Sequence, residues 1–265
     1  MSWYDTGFDG MDKEQQRLDS QGGPGRLWIP SGASKDIVAV DDDPFCVHEH
    51  NPKMNGNYRN WLTCLRNAYD EVVCCQVLGP NSRYYCGYIT SVDCSKWTDN
   101  RGNEHQYEMR LIQLKMKSLK KFRRKKEDKG SLVGTMWNFH REDNRSPTCG
   151  DEWEFKRDVD MDKLFNFVRY RGKKLADLWD EAEEKAEVMQ RVQSWFQIKP
   201  DDNGKLPRIV PAFNYMEVLK PMSPKDARLH LGAVEPDDDS SSFSDGGSKS
   251  NGASSGTAAQ DDVPF

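Results

Sequence analysis

Two groups of residues in this chain have types and spacings that could do chemistry. The first is a run of cations, Lys115, Lys117, Lys120, Lys121, Arg123, Arg124, Lys125 and Lys126, next to segments that carry Tyr84, Tyr85, Tyr88, Trp97, Tyr107 and Trp137, with Phe139 close by. A cationic track follows phosphates, and an aromatic face stacks an unpaired base with little regard to its identity. Trp97 stands beside a polar turn, between Lys96 and Arg101, where a ring would face solvent. The second group is Cys46, His48 and His50, followed by Cys64 and the vicinal pair Cys74 and Cys75. Four sulfur and nitrogen ligands from such a set would suit zinc. The spacing is irregular and lacks a C-x-x-C, so the same residues also read as small buried hydrophobes.

Other chemistry is thinly represented. The chain has no G-x-x-x-x-G-K-[ST], G-x-S-x-G or H-E-x-x-H run, so the sequence reading is of a non-enzyme. Asp41, Asp42 and Asp43 could hold Mg²⁺ in a nuclease, although an adjacent acidic trio in a loop is more often a solvated turn.

The elements that must position these residues change character along the chain. From residue 37 to about 159, short stretches such as "DIVAV", "FCVH", "NWLTCL", "RYYCGYITSV", "HQYEMRLIQLKMK", "GSLVGTMWNFHR" and "EWEFKRDV" alternate with turn residues, as strands do. Asn100, Gly102 and Asn103 supply the turn of a long β-hairpin. Leu119 and Phe122, at helical spacing among the cations, predict a short basic helix between two strands. After "DVDMDK" the pattern becomes helical: Asp158 or Asp160 can cap a first segment, and residues 173 to 196 form a second amphipathic stretch. The prolines at 207, 211, 221 and 224 predict an extended strap thereafter.

The expected fold class is mainly β with α additions, a barrel with a long hairpin and appended helices. Its organisation reads as an N-terminal arm (1–25), a strand-rich domain (26–160), a helical and strap segment (161–232) and a disordered acidic tail (233–265). The formal charge of -5 is divided unevenly. Seven acids against Lys249 alone give the stretch from Ala233 onward -6, which leaves the rest of the chain at +1. Such asymmetry suits an acidic tether beside a surface for an anionic ligand. Seven cysteines, an odd number that includes an adjacent pair, argue against a disulfide framework. No apolar run approaches the length of a membrane span, and no secretory leader opens the chain, so a cytosolic setting is expected.

The segment "RLWIP…FCVHEHNPKMNGNYRNWLTCL…CC…YYCGYITSVDCSKWTDNRGNEHQYEMRLIQLKMKSLKKFRRKKEDKGSLVGTMWNFHR", with the later "IVPAFNYMEVLKPMSP", resembles single-stranded DNA-binding proteins of tailed bacteriophages over residues 26 to 225. The resemblance implies an OB-fold and non-catalytic coating of single-stranded DNA in replication, recombination and repair. It also implies the cytoplasm of an infected bacterial host and self-association on DNA, for which the N-terminal arm is the candidate contact. Some members carry a zinc site made of a His, a Cys and a C-x-x-C. His50 and Cys64 match the first two positions and Cys74 or Cys75 the third, while Val77 or Leu78 stands where the last cysteine would be. Cys46, His48 or the second vicinal cysteine could take its place. Separately, Asp261, Asp262, Val263, Pro264 and Phe265 are similar to the acidic Pro-Phe tip of bacterial single-stranded DNA-binding proteins, which docks replication and repair enzymes. A terminal Phe in a partner's apolar pocket with its carboxylates on basic residues would be one such docking mode. Two other classes stay open on the residues alone: a transcription or replication adaptor that works through protein docking, and the metal-dependent nuclease above.

Overall fold

A computed structural model describes residues 24–52, 61–98, 102 and 104–232, which all belong to one compact unit. The N-terminal residues 1–23, Arg101 and the whole tail, including Asp261 to Phe265, lie outside the described residues.

The centre is a large sheet with helices on it, a mixed α/β arrangement. Five strands carry its main path: β1 (Ala33–Ala39), β4 (Arg83–Asp93), β7 (Glu108–Lys115), β8 (Thr135–Arg141) and β9 (Glu152–Asp158). β2 (Phe45–His50) pairs with the first half of β4, and the short β3 (Leu62–Thr63) pairs with β2. β10 (Arg169–Tyr170) joins the outer edge of β7 in parallel, followed by β11 (Lys173–Lys174). The path runs β11–β10–β7–β4–β1–β8–β9 and is open, ending at β11 and β9. The long hairpin expected from the turn residues is present: β4 and β7 pair from Cys86↔Lys115 to Asp93↔Glu108, with the ribbon β5 (Trp97–Thr98) and β6 (Glu104–His105) at its tip.

β4 is buried on both faces because each face has its own core. Alternation sends Val38, Tyr88, Val92, Met109 and Leu111 to one side and Ile37, Ala39, Ile89, Ile112 and Leu114 to the other. The second side is closed by the basic helix α3 (Met116–Lys129), which lays Leu119 and Phe122 onto Trp137, Phe139 and Trp153. Gly87 makes the close approach possible, since a Cβ there would lie 2.7 Å from Leu119 Cδ2. The first side is covered by α4 (Met161–Phe165), α5 (Leu175–Glu184) and α6 (Ala186–Trp195), which bury Leu164, Phe165, Leu178, Trp179 and Val192. Asp160 caps α4 by accepting a hydrogen bond from the Lys163 amide.

Three expectations are corrected. "NWLTCL" is not a full strand: β3 gives way at once to α1 (Arg66–Tyr69) and α2 (Val73–Leu78). The helix expected over 173–196 is two, broken at Lys185 with φ -129° and ψ 112°. Unbroken, it would span about 35 Å, whereas the break lets both apolar stripes face the same sheet. The strap after Pro207 also turns helical, at α7 (Tyr215–Val218) and α8 (Pro224–Leu231). Pro224 falls in the first turn of α8, where the missing N–H costs nothing, and Ser223 caps it through the Asp226 amide.

Candidate metal centre and nucleic-acid interface

β2, β3 and α2 bring four side chains together: His50 from the end of β2, Cys64 just after β3, and Cys74 and Cys75 from the first turn of α2. Their ligand atoms all lie within 4.8 Å of one another. The sulfurs of Cys64 and Cys74 are 3.8 Å apart, those of Cys64 and Cys75 3.7 Å, and those of Cys74 and Cys75 4.0 Å. Cys75 Sγ is 3.6 Å from His50 Nε2. A tetrahedral zinc with bonds of about 2.3 Å to sulfur and about 2.05 Å to nitrogen has edges of about 3.8 Å between sulfurs and about 3.6 Å from sulfur to nitrogen. Four of the six edges match, and with the other two pairs inside 4.8 Å the four residues could hold such an ion. Cys75, the second vicinal cysteine, is the fourth candidate ligand; Cys46 is exposed and bonds the Pro44 carbonyl, and His48 lies edge-on to Tyr85.

The hydrogen bonds around His50 fix which nitrogen is free. Ser82 donates its one hydroxyl proton to the Gly79 carbonyl at 2.7 Å, so at 2.8 Å from His50 Nδ1 it must accept. Nδ1 then carries the ring proton, and Nε2 presents a lone pair to the three sulfurs, the outer-shell arrangement metal-bound histidines use. Burial, helped by the Arg83 charge, lowers the His50 pKa and keeps the ring neutral. Burial also raises the Cys74 thiol and pushes Cys75 up to about 12, so without an ion these stay protonated at neutral pH.

Beside this cluster lies a buried carboxylate. Glu49 is fully buried and accepts from Arg26 at 2.9 Å, Tyr88 at 2.5 Å, Gln113 at 2.6 Å and Tyr84 at 3.1 Å. The charge of Arg26 balances it, and the guanidinium also lies 4.3 Å from the Trp61 ring centroid. Burial and the adjacent carboxylate raise both phenols, so Tyr84 and Tyr88 remain donors.

A second group of rings, of which Phe167 is exposed and Trp97, His105 and Tyr107 are half-buried, lies at the other end of the hairpin. Trp97 stacks on His105 with centroids 4.2 Å apart and planes 13° from parallel, and Lys35 and Arg110 lie 5.4 and 5.5 Å from its ring. Tyr107 holds a left-handed φ of +57°, a conformation that costs a side chain about 1–2 kcal/mol. The Arg169 amide of β10 pins it by donating to the Tyr107 carbonyl at 2.8 Å. Its ring meets that of Phe167 at 5.6 Å, and Phe167 is 56 % exposed. A groove of about 300 Å³ runs along Tyr107 and Phe167, with Lys96, His105, Arg169 and Lys174 on its walls against Glu104; Trp97 lies behind His105 and does not line it.

The basic run is partly neutralised. On α3, Lys126 pairs with Asp42 at 2.9 Å and with Asp43, Arg123 pairs with Glu127 at 2.8 Å, and Lys121 donates to the Asp151 carbonyl. Lys125 lies 5.2 Å from the Trp137 ring and Lys115 4.9 Å from that of Tyr84. Lys117, Lys120 and Arg124 are exposed and make no ion pair among the described residues. The acidic trio is thus distributed: Asp42 and Asp43 serve Lys126, while Asp41 is turned inward onto Tyr215 and Thr90.

Of the rings singled out from the sequence, Tyr88 and Trp137 are buried and offer no face to solvent, and so is Phe139. Tyr84 is half-buried against Glu49, Tyr85 is 39 % exposed, Tyr107 lines the groove with Lys96, and Trp97 is half-buried behind His105 and does not line it. Arg169, Lys174, Arg26 and Trp61 carry no periodic signal, and Phe167 reads in the sequence as part of an apolar helical run with Leu164 and Val168; only the packing of β10 and β2 against the hairpin places them here. No protein-family model matches the chain, and it matches no characterised protein and no solved structure.

Proposed function

We propose that this protein binds single-stranded DNA without strong sequence preference and protects it during replication, recombination and repair. The observation that carries the reading is the groove at the hairpin tip, where half-buried Tyr107 and exposed Phe167 line the walls with Lys96, His105, Arg169 and Lys174, and His105 in turn stacks on the half-buried Trp97. Unpaired bases stack on such rings while cations meet the phosphates, and a duplex, whose bases are already stacked, gains nothing from them. The strand path β7–β4–β1–β8–β9, with a helix between β7 and β8, supports an OB-like topology in which the sheet has stayed open. Lys117, Lys120 and Arg124, on the helix that leaves β7 at the end away from the tip, would offer phosphates a second cationic patch. The acidic tail, with Asp261, Asp262 and Pro264-Phe265, is proposed as the part that recruits partner proteins. The cluster of His50, Cys64, Cys74 and Cys75 is proposed to hold zinc, since three thiolates and an imidazole form the soft tetrahedral set that ion takes. The nuclease reading finds no support in Asp41 to Asp43, whose carboxylates are engaged by Lys126 and Tyr215.

The test is a titration of intrinsic tryptophan fluorescence with oligo-dT and with a duplex of the same length, at two salt concentrations. Quenching by oligo-dT, weaker duplex binding and a salt slope of about -0.7 per neutralised phosphate are expected. Phe167→Ala and Tyr107→Ala should each cost about 1–3 kcal/mol of affinity. No binding of oligo-dT would overturn the reading.

A further inference from the structure

A third, small core sits apart from the two that flank the sheet. It consists of Leu62, Cys64, Leu65, Val73, Cys74 and Ala227, with Cys75, Leu78 and Leu231 packed against it. All but Ala227 and Leu231 come from the segment that carries the metal cluster, and the two exceptions come from α8. The thiols of Cys64 and Cys74 are thus both candidate ligands and walls of the socket that receives α8.

Little else holds that helix. Leu229 is 72 % exposed, and the Arg228–Glu71 pair, 3.3 Å long and partly exposed, is of a kind worth little. An eight-residue helix is not stable in water on its own, so α8 is helical because Ala227 and Leu231 are seated on α2. The socket is itself too small to be rigid on apolar burial alone, and in small metal-bearing units the binding energy of the ion is folding energy. Gly232 closes α8 in the left-handed conformation, and the acidic stretch begins directly after it.

We propose that metal occupancy at His50, Cys64, Cys74 and Cys75 decides whether α8 is docked on α2. The inference rests on reading the cluster as a metal centre, and it assigns that centre a task distinct from contact with DNA. With the ion bound α8 stays seated as far as its cap at Gly232. With the ion removed α8 leaves its socket and unravels.

The experiment uses the full chain in three states: loaded with Zn²⁺, stripped by a chelator, and stripped then resupplied with Zn²⁺. Hydrogen exchange and brief trypsin treatment are read in each. On stripping, the α8 amides should exchange about tenfold faster or more, and cleavage after Lys225 and Arg228 should appear. Both changes should reverse on resupply, while amides of β4 and β7 keep their protection. Zinc that binds and leaves without changing α8 protection overturns the inference and leaves the metal reading standing. A chain that never takes up zinc overturns both. Should stripping unfold the whole molecule, Ala227→Asp decides the matter, because it unseats α8 and leaves all four ligands in place. Reciprocity then requires zinc to bind about tenfold more weakly to the variant; an unchanged zinc affinity overturns the inference.

Discussion

Asp41 shows how much one carboxylate can be asked to tolerate. Its Oδ2 accepts from the Thr90 amide at 3.2 Å and from the Tyr215 hydroxyl, while its buried Oδ1 has no partner among the described residues. Burial raises its pKa to about 6, against the pull of the Tyr215 and Thr90 hydrogen bonds. Because the folded value lies above the unfolded one, the stability it contributes is present in full below pH ~4 and is lost as pH rises through ~6. Asp41→Asn should abolish this loss, which amounts to about 3 kcal/mol at most. Urea melts of both proteins at pH 4.5 and pH 7 check it: the gap between the two pH values should narrow in the variant, and an equal gap in both would place the charge elsewhere. Asp41 also marks a limit of sequence reading. The trio with Asp42 and Asp43 looks uniform on paper, yet its members differ because Tyr215 and Lys126, both distant in sequence, reach different oxygens.

At the scale of elements, α3 and the β4–β7 hairpin were legible because their signals are local. Leu119 and Phe122 at helical spacing announced the helix, and the polar turn announced the hairpin. Which ring faces which way was not legible, since a one-residue change of register exchanges the two faces of a strand. Tyr88 and Tyr85 are three apart on β4, and one is sealed over Glu49 while the other looks outward. Of the candidate metal ligands, His50, Cys64 and the vicinal pair could be named from spacing and resemblance, but the choice of Cys75 over Cys46 or His48 needed α2. The same division applies to the cations of α3. Lys117→Ala, Lys120→Ala and Arg124→Ala should each flatten the salt dependence of oligo-dT binding by about 0.7 for every phosphate that is no longer neutralised. Arg123→Ala and Lys126→Ala should leave that slope unchanged, because their charges are already spent on Glu127 and on Asp42 and Asp43. Equal slopes for all five variants would remove α3 from the interface.

For the whole molecule, the sequence suggested a barrel domain with a helical segment and strap packed on it from residue 161. In the structure α4, α5 and α6 form the second wall of a core whose other wall is the sheet itself. Val38, Tyr88, Val92, Met109 and Leu111 depend on Leu164, Trp179 and Phe196 for cover. A chain cut after Asp160 should therefore aggregate instead of folding as a smaller domain. Trp179→Ala should cost about 3–5 kcal/mol and lower the temperature of a single unfolding transition rather than split it in two. Calorimetry of the full chain distinguishes these outcomes, and two separated transitions would mean that the helices fold apart from the sheet.

The outer edge of β7 is sealed from both ends of the unit. Arg26 bridges to Leu111 in parallel, with the Leu27 amide donating to the Leu111 carbonyl at 2.7 Å, and Arg169 of β10 meets Glu108. One of these partners is made early in synthesis and the other long after β7 has left the ribosome. Until Arg169 arrives, part of that edge stays open to a neighbouring nascent chain. Parallel pairings between such distant segments are slow to form, so the last step of folding should be the closing of β10 onto β7. That step also sets Tyr107 in its constrained turn, and the groove would thus be the last part of the protein to be completed.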